Sequence, residues 1–244
     1  MPFRDKACLS SYSRYGPNWV SLLLLLLSLA CADRSPEGVN SEALASAARK
    51  TTVASFSALG PHILEAHTEV VTGRPAGQTS TVKNTSRLRW QDDRHWQWIR
   101  ERDGTRLSEV RVFGGKAWSS VGAGGLKARP DAEPLRAELG LDADPWVSAL
   151  GAAESRILYT EGGEEDIEGR KVRRYNLALV PGAAAGRRSR DVLSVEGQVW
   201  IDETTAVRLA GDVTLRTTSR DQTRTTRLQF AATRIGGDAG VEAP

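Results

Sequence analysis

From Ile63 to Ile235 apolar and polar residues alternate with a period of two through one segment after another. Half-buried strands read this way, and a run of them leaves few folds other than an antiparallel sheet with one dry face. Leu64, Ala66, Thr68 and Val70 alternate with Ile63, Glu65, His67 and Glu69. Further strands are expected over Thr81–Trp90, His95–Glu101, Leu107–Phe113, Lys116–Val121, Arg156–Thr160 and Val172–Val180. Leu193, Val195, Val199 and Ile201 then alternate with Ser194, Glu196 and Gln198, and Val207, Leu209, Val213 and Leu215 with Arg208, Asp212, Thr214 and Arg216. The last strand, Thr225–Ile235, sets Leu228, Phe230 and Ala232 opposite Arg227, Gln229 and Thr233. Asp92-Asp93, Asp103-Gly104 and Glu168-Gly169 mark turns, and Glu161–Glu165 is turn-rich. Gly114-Gly115 joins the clearest hairpin, because a two-residue glycine connection suits the primed turns.

Two regions break the pattern. Ser41–Lys50 has a serine cap, an acidic first turn and alanine-rich propensity, and its apolar face runs on through Val53, Phe56 and Leu59 to Gly60-Pro61. Residues 131–139 and 144–150 predict two short helices, the second with Asp144 as N-cap and Pro145 at the first helical position. The fold class is therefore mainly β (α+β): one curved antiparallel sheet or half-barrel of eight to ten strands, with a few short helices covering its concave face. So few helices leave a wide face incompletely filled, so an apolar hollow is expected. Gly197 and Gly211, on apolar faces, are expected to leave room in it.

The first thirty residues carry Arg4, Lys6 and Arg14, then an apolar run from Val20 to Ala30 that ends in small residues, as a secretory signal does. A spanning helix needs roughly 20 apolar residues, and this run is shorter. Ser28-Leu29-Ala30-Cys31 resembles the bacterial lipoprotein box, although Leu sits one place late, and no cysteine follows Cys31. Ala30-Cys31-Ala32 also fits ordinary secretion, which would give a soluble periplasmic or secreted protein. The expected layout is a signal peptide at 1–30, a tether at 31–40, one domain at 41–236 and a frayed tail at 237–244. Ala32 after the cysteine favours the periplasmic face of the outer membrane over the inner one. Taking the leader's three basic and one acidic residue from 33 and 30 leaves 30 against 29, so no cationic surplus points to nucleic acid.

Chemistry-bearing patterns are sparse. His62 and His67 fall on opposite strand faces and are expected to be solvated, and His95 lies beside a turn; none belongs to a metal-ligand spacing. No nucleophile elbow or phosphate cradle is present. Asp92, Asp93, Glu164, Glu165 and Asp166 are charged turn residues without a calcium-loop pattern. No cofactor, metal or catalytic residue is expected. Six tryptophans follow the leader. Trp96 and Trp98 share one strand face, as core or cavity lining, and Trp146 is placed for a lid or mouth.

The layout resembles the LolA/LolB-type half-barrel superfamily, including the lipid-carrying lipoproteins of mycobacteria: lipid cysteine, N-terminal helix, strand meander, mid-chain helices, closing sheet. The resemblance covers about residues 41–236, and its local pattern is Glu164–Val172 followed by Gly197-Gln-Val-Trp200-Ile201-Asp202-Glu203-Thr204 and the return strand Val207–Leu215. It implies acyl chains in a hollow between sheet and helices. The expected wall is Trp96, Trp98, Trp118 and Trp146 with Val199, Ile201, Leu209, Val213, Leu215, Leu228 and Phe230. Function is then a membrane-anchored envelope lipoprotein that binds or transfers a lipid, lipoprotein or other apolar ligand. The alternative is a non-enzymatic envelope scaffold or accessory subunit with a filled core.

Overall fold

The computed structural model describes residues 52–74, 77–130, 139, 143–181, 191–219 and 222–244. The leader, Cys31, the tether, the helix over 41–50 and all of the helix over 131–139 except Leu139 lie outside these residues. Eleven strands follow a helix α1 (Thr52–Leu59): β1 (His62–Gly73), β2 (Thr79–Asp92), β3 (His95–Arg102), β4 (Thr105–Phe113), β5 (Lys116–Val121) and β6 (Lys127–Arg129). A helix α2 (Pro145–Leu150) and a 3-10 turn at Glu154–Arg156 lead to β7 (Ile157–Ile167), β8 (Arg170–Leu179), β9 (Asp191–Asp202), β10 (Arg208–Ser219) and β11 (Gln222–Thr233).

All eleven form one unclosed, curved sheet in the order β6-β5-β4-β3-β2-β1-β11-β10-β9-β8-β7. Two meanders thus meet where β1 pairs with β11 in the middle, and β6 and β7 form the opposite edges. The chain between residues 130 and 156 must cross the whole width of the sheet, and this is what lays α2 over one face. We call that face inner. The two-residue turns at Asp103-Gly104, Gly114-Gly115 and Glu168-Gly169 put both residues at positive φ, the primed geometry that suits the twist of paired strands.

Two expectations change. The eleventh strand is β6, three exposed residues with no period to read. Glu161–Glu165 is not a turn but the middle of β7, where a register shift between Glu161 and Gly163 absorbs the extra residue as a bulge.

The core fills the inner face. Trp90 and Trp96 are direct cross-strand partners, as are Leu88 and Trp98, and all four are buried. Phe56 of α1 packs its ring 5.6 Å from that of Trp90. Leu139, Trp146 and Leu150 close the other half over Leu209, Val213 and Leu228. Burial of each such side chain contributes about 1.5–3 kcal/mol.

Candidate functional site

The short α2 is fixed from both ends. Asp144 Oδ1 accepts from the backbone N–H of Trp146 at 2.9 Å and of Val147 at 3.2 Å, and Pro145 occupies the first turn. Burial pushes the Asp144 carboxyl above its ordinary range, against those two N–H bonds and the Arg208 charge. Trp146 is buried; its indole N–H donates to Glu154, and the Arg208 guanidinium lies 4.7 Å over its ring. Glu154 also accepts from Tyr159 Oη at 2.7 Å and Arg208 at 3.1 Å. Trp146 is therefore the root of α2, not the lid or mouth expected of it.

With its root buried, α2 turns Ser148 and Ala149 toward the sheet, where two clefts run along its sides. One, of about 280 Å³, lies between α2 and β1–β4, with Ala66, Ser86, Arg100, Arg102 and Leu107 in its lining. The other, of about 470 Å³, lies toward β9 and β10, with Val147, Arg156, Val192 and Leu215 in its lining. Ser148, Ala149, Arg224 and Thr226 line both, so the clefts share one stretch of wall under the helix. Leu107 and Val147 are among the few large apolar side chains left exposed. Space of a few hundred Å³ with mixed apolar and polar lining is of the size that takes a small apolar ligand, roughly 300–1,000 Å³.

The arginines are oriented. Arg100 donates Nε to Ser108 Oγ at 2.9 Å and stacks its guanidinium 4.6 Å over Trp98. Arg102 donates Nε to Asn84 Oδ1 at 3.2 Å. One nitrogen of Arg156 is buried without a hydrogen-bond partner.

Deeper in, the space closes. Between α1 and the sheet only about 30 Å³ remains beside Phe56, Leu64 and Phe230. Of the expected wall, Leu215 lines the larger cleft, and Phe230 lines that small remnant and the outer hollow described next. Trp96, Trp98, Val199, Ile201, Leu209, Val213 and Leu228 come together in the packed core beneath the clefts. Trp118 is apart from them: Ala117 pairs with Val112 on the inner face, so Trp118 takes the outer one beside Arg111. The glycines leave no hollow. A Cβ on Gly211 would stand 2.4 Å from the Phe230 ring, which already fills its place. One on Gly197, at φ +132°, would stand 2.1 Å from the Asp212 carbonyl oxygen.

The outer face carries charged ladders such as Arg87–Glu65 and a shallow hollow over Ala210, Ala231 and Trp200. Beneath the C-terminal tail it holds a buried carboxylate. Glu109 accepts from Gln97 at 2.6 Å, Arg111 at 2.7 Å and Arg106 at 2.9 Å. Burial alone would raise its pKa, but these bonds and the two guanidinium charges win and hold it below the ordinary value. The tail, expected to fray, is held there. Arg89 donates to the Gly240 carbonyl, Arg111 to those of Glu242 and Ala243, and Ala239 donates its N–H to Gln91.

His62, expected in solvent, is buried; its Nδ1 donates to the Gly60 carbonyl at 2.7 Å, and burial holds its pKa at about 4. His67 lies on the opposite, outer face, and His95 sits on Asp92 at 2.9 Å. Among the described residues no group of three or more His, Cys, Asp or Glu is placed to hold a metal ion. None of their helices is long and apolar enough to cross a membrane. The cleft arginines were missed by sequence reasoning, although the alternation that links Trp96 and Trp98 continues to Arg100 and Arg102.

No protein-family model and no curated protein matches this sequence. Among solved structures the chain is similar to a LolA superfamily protein from Nitrosomonas europaea, at 7% identity over 78% of this chain and 91% of that one, with a TM-score of 0.25. It is also similar to lipoprotein LppX of Mycobacterium tuberculosis, at 13% identity over 76% of this chain and 92% of that one, with a TM-score of 0.27. A chain of the Pseudomonas aeruginosa MucA/MucB complex is 16% identical over 78% of this chain, which spans 59% of that one, with a TM-score of 0.25. The LolA superfamily and a mycobacterial lipoprotein are the groups that the sequence layout resembles.

Proposed function

We propose that the chain is an exported bacterial envelope lipoprotein, non-enzymatic, that holds or hands over a lipid or another apolar ligand in the clefts around α2. The leader at 1–30 is removed, Cys31 carries the acyl anchor on the periplasmic face of the outer membrane, residues 32–40 act as a tether, and the half-barrel domain begins near residue 41. The observation that supports the binding role is the pair of clefts of about 280 and 470 Å³ that flank α2 and share Ser148, Ala149, Arg224 and Thr226. Their capacity suits a single acyl chain. Each methylene taken from water contributes about 0.8 kcal/mol, against the cost of immobilising the chain. The packed core below gives such a ligand a rigid floor.

Native mass spectrometry of the protein with Cys31→Ser, purified from the periplasm, tests the binding role. The expected result is an adduct that extracts as a lipid. A clean apo mass that stays unchanged after incubation with phospholipids and fatty acids would transfer the assignment to an envelope scaffold with a filled core. The same substitution tests the anchor: the protein should leave the membrane fraction, and unchanged partitioning with unchanged mass overturns the lipoprotein assignment.

A further inference from the structure

We propose that the ligand of these clefts is an anionic amphiphile whose phosphate or carboxylate headgroup is bound by the guanidinium groups of Arg100, Arg102 and Arg224, with Arg156 serving the neighbouring cleft. The inference rests on the binding role proposed above and names its ligand class. A carrier that recognised only acyl chains would need an apolar lining throughout. Here the smaller cleft is lined by three arginines and the larger by Arg156 and Arg224, while Glu101 is the single carboxylate among the described residues lining either one.

The placement follows from the strands. On β3 the inner face runs Trp96, Trp98, Arg100, Arg102, so the wall changes from indole to guanidinium as it leaves the core. Cross-strand partners follow suit, Trp90 and Leu88 giving way to Ser86 and Asn84. Trp98 underlies Arg100 by stacking, and the Nε bonds to Ser108 and Asn84 fix the planes of Arg100 and Arg102. Less side-chain freedom then remains to be lost when an anion arrives. Arg224 is exposed on β11 and lines both clefts, where it meets a headgroup from either side. Guanidinium forks match phosphate and carboxylate oxygens, and a half-enclosed cleft lined by one sign of charge concentrates the field. The apolar part of the ligand then lies along Leu107, Ala149, Val147 and Leu215.

The test compares monomeric lipids with one acyl chain and different heads, each below its micelle concentration, titrated into the full chain and followed by tryptophan fluorescence. Monopalmitoyl lysophosphatidate and palmitate should bind about tenfold or more tighter than monopalmitoylglycerol, and high salt should narrow the gap. Arg102→Gln with Arg224→Gln should bring the lipids to within about twofold of each other, and Arg102→Lys with Arg224→Lys should restore most of the preference; both positions are exposed, so the thermal midpoint should hold. Equal affinity for charged and neutral heads overturns the headgroup assignment and leaves the carrier standing. Binding of none of the lipids overturns the carrier reading itself. If inorganic phosphate competes as strongly as lysophosphatidate, the site takes free anions and the lipid assignment falls.

Discussion

At the scale of single residues, a buried carboxylate and a glycine decide more than any histidine. Glu109 is held ionised by Gln97, Arg111 and Arg106 below its ordinary pKa of 4.5. A depressed folded-state pKa means that the stabilisation is present above the unfolded value and is lost as pH falls through the folded one. The protein should therefore lose stability on acidification below about pH 4.5. Glu109→Gln should cost about 1–3 kcal/mol at pH 7, by leaving two guanidinium groups without their counter-charge, and should give a shallower acid limb. Asp202 titrates with the same sign, so the limb should not vanish. Urea midpoints at pH 7 and pH 4 check both statements, and an unchanged acid slope would sink them. Gly211 tests packing instead. Gly211→Ala should cost about 1–3 kcal/mol through overpacking against Phe230, and Phe230→Leu in the same chain should recover part of it. Additive costs in that double-mutant cycle would mean that the two sites do not touch.

At the scale of elements, α2 is six residues long and has little stability of its own. It is held by Asp144 at its start and by Trp146 rooted on Glu154 and Arg208. Asp144→Ala should cost about 1 kcal/mol. Asp144→Asn keeps the acceptor and removes a charge that burial opposes, so it should lie close to the native protein. Because α2 separates the clefts, Asp144→Ala should also weaken lipid binding more than it weakens the fold. Equilibrium unfolding alongside lipid titration separates the two effects. The cap was legible in the sequence because Asp-Pro before an apolar turn is a local signal. The burial of Trp146 was not, since its partners Glu154 and Arg208 lie 8 and 54 residues from one another or from it.

At the scale of the whole molecule, the sheet is held at its centre by the pairing of its first and last strands and on its outer face by the tail. Removal of residues 237–244 should lower stability by about 1–3 kcal/mol, from several partly exposed hydrogen bonds and the buried Ala239. It should also raise amide exchange in β2–β4; an unchanged urea midpoint would mean that the tail frays after all. The period of two, the primed turns and the Asp144 cap depend on neighbours in sequence, and so the strands, the hairpins and the single dry face could be read from the residues alone. The likeness of Gly197-x-x-Trp200-Ile201-Asp202 to a half-barrel strand was also legible, and its reason is structural: Gly197 admits the β10 backbone, Trp200 donates to Glu165, and Asp202 holds the turn at Thr205. The location of the open space was decided only in three dimensions. Side-chain alternation says which face is apolar but not how far large residues on distant strands fill it. Trp90, Trp96, Phe230 and the tryptophan of α2 meet across the sheet and close the centre, and the crossing from β6 to β7 leaves the clefts beside the helix, where the inner face has turned from tryptophan to arginine.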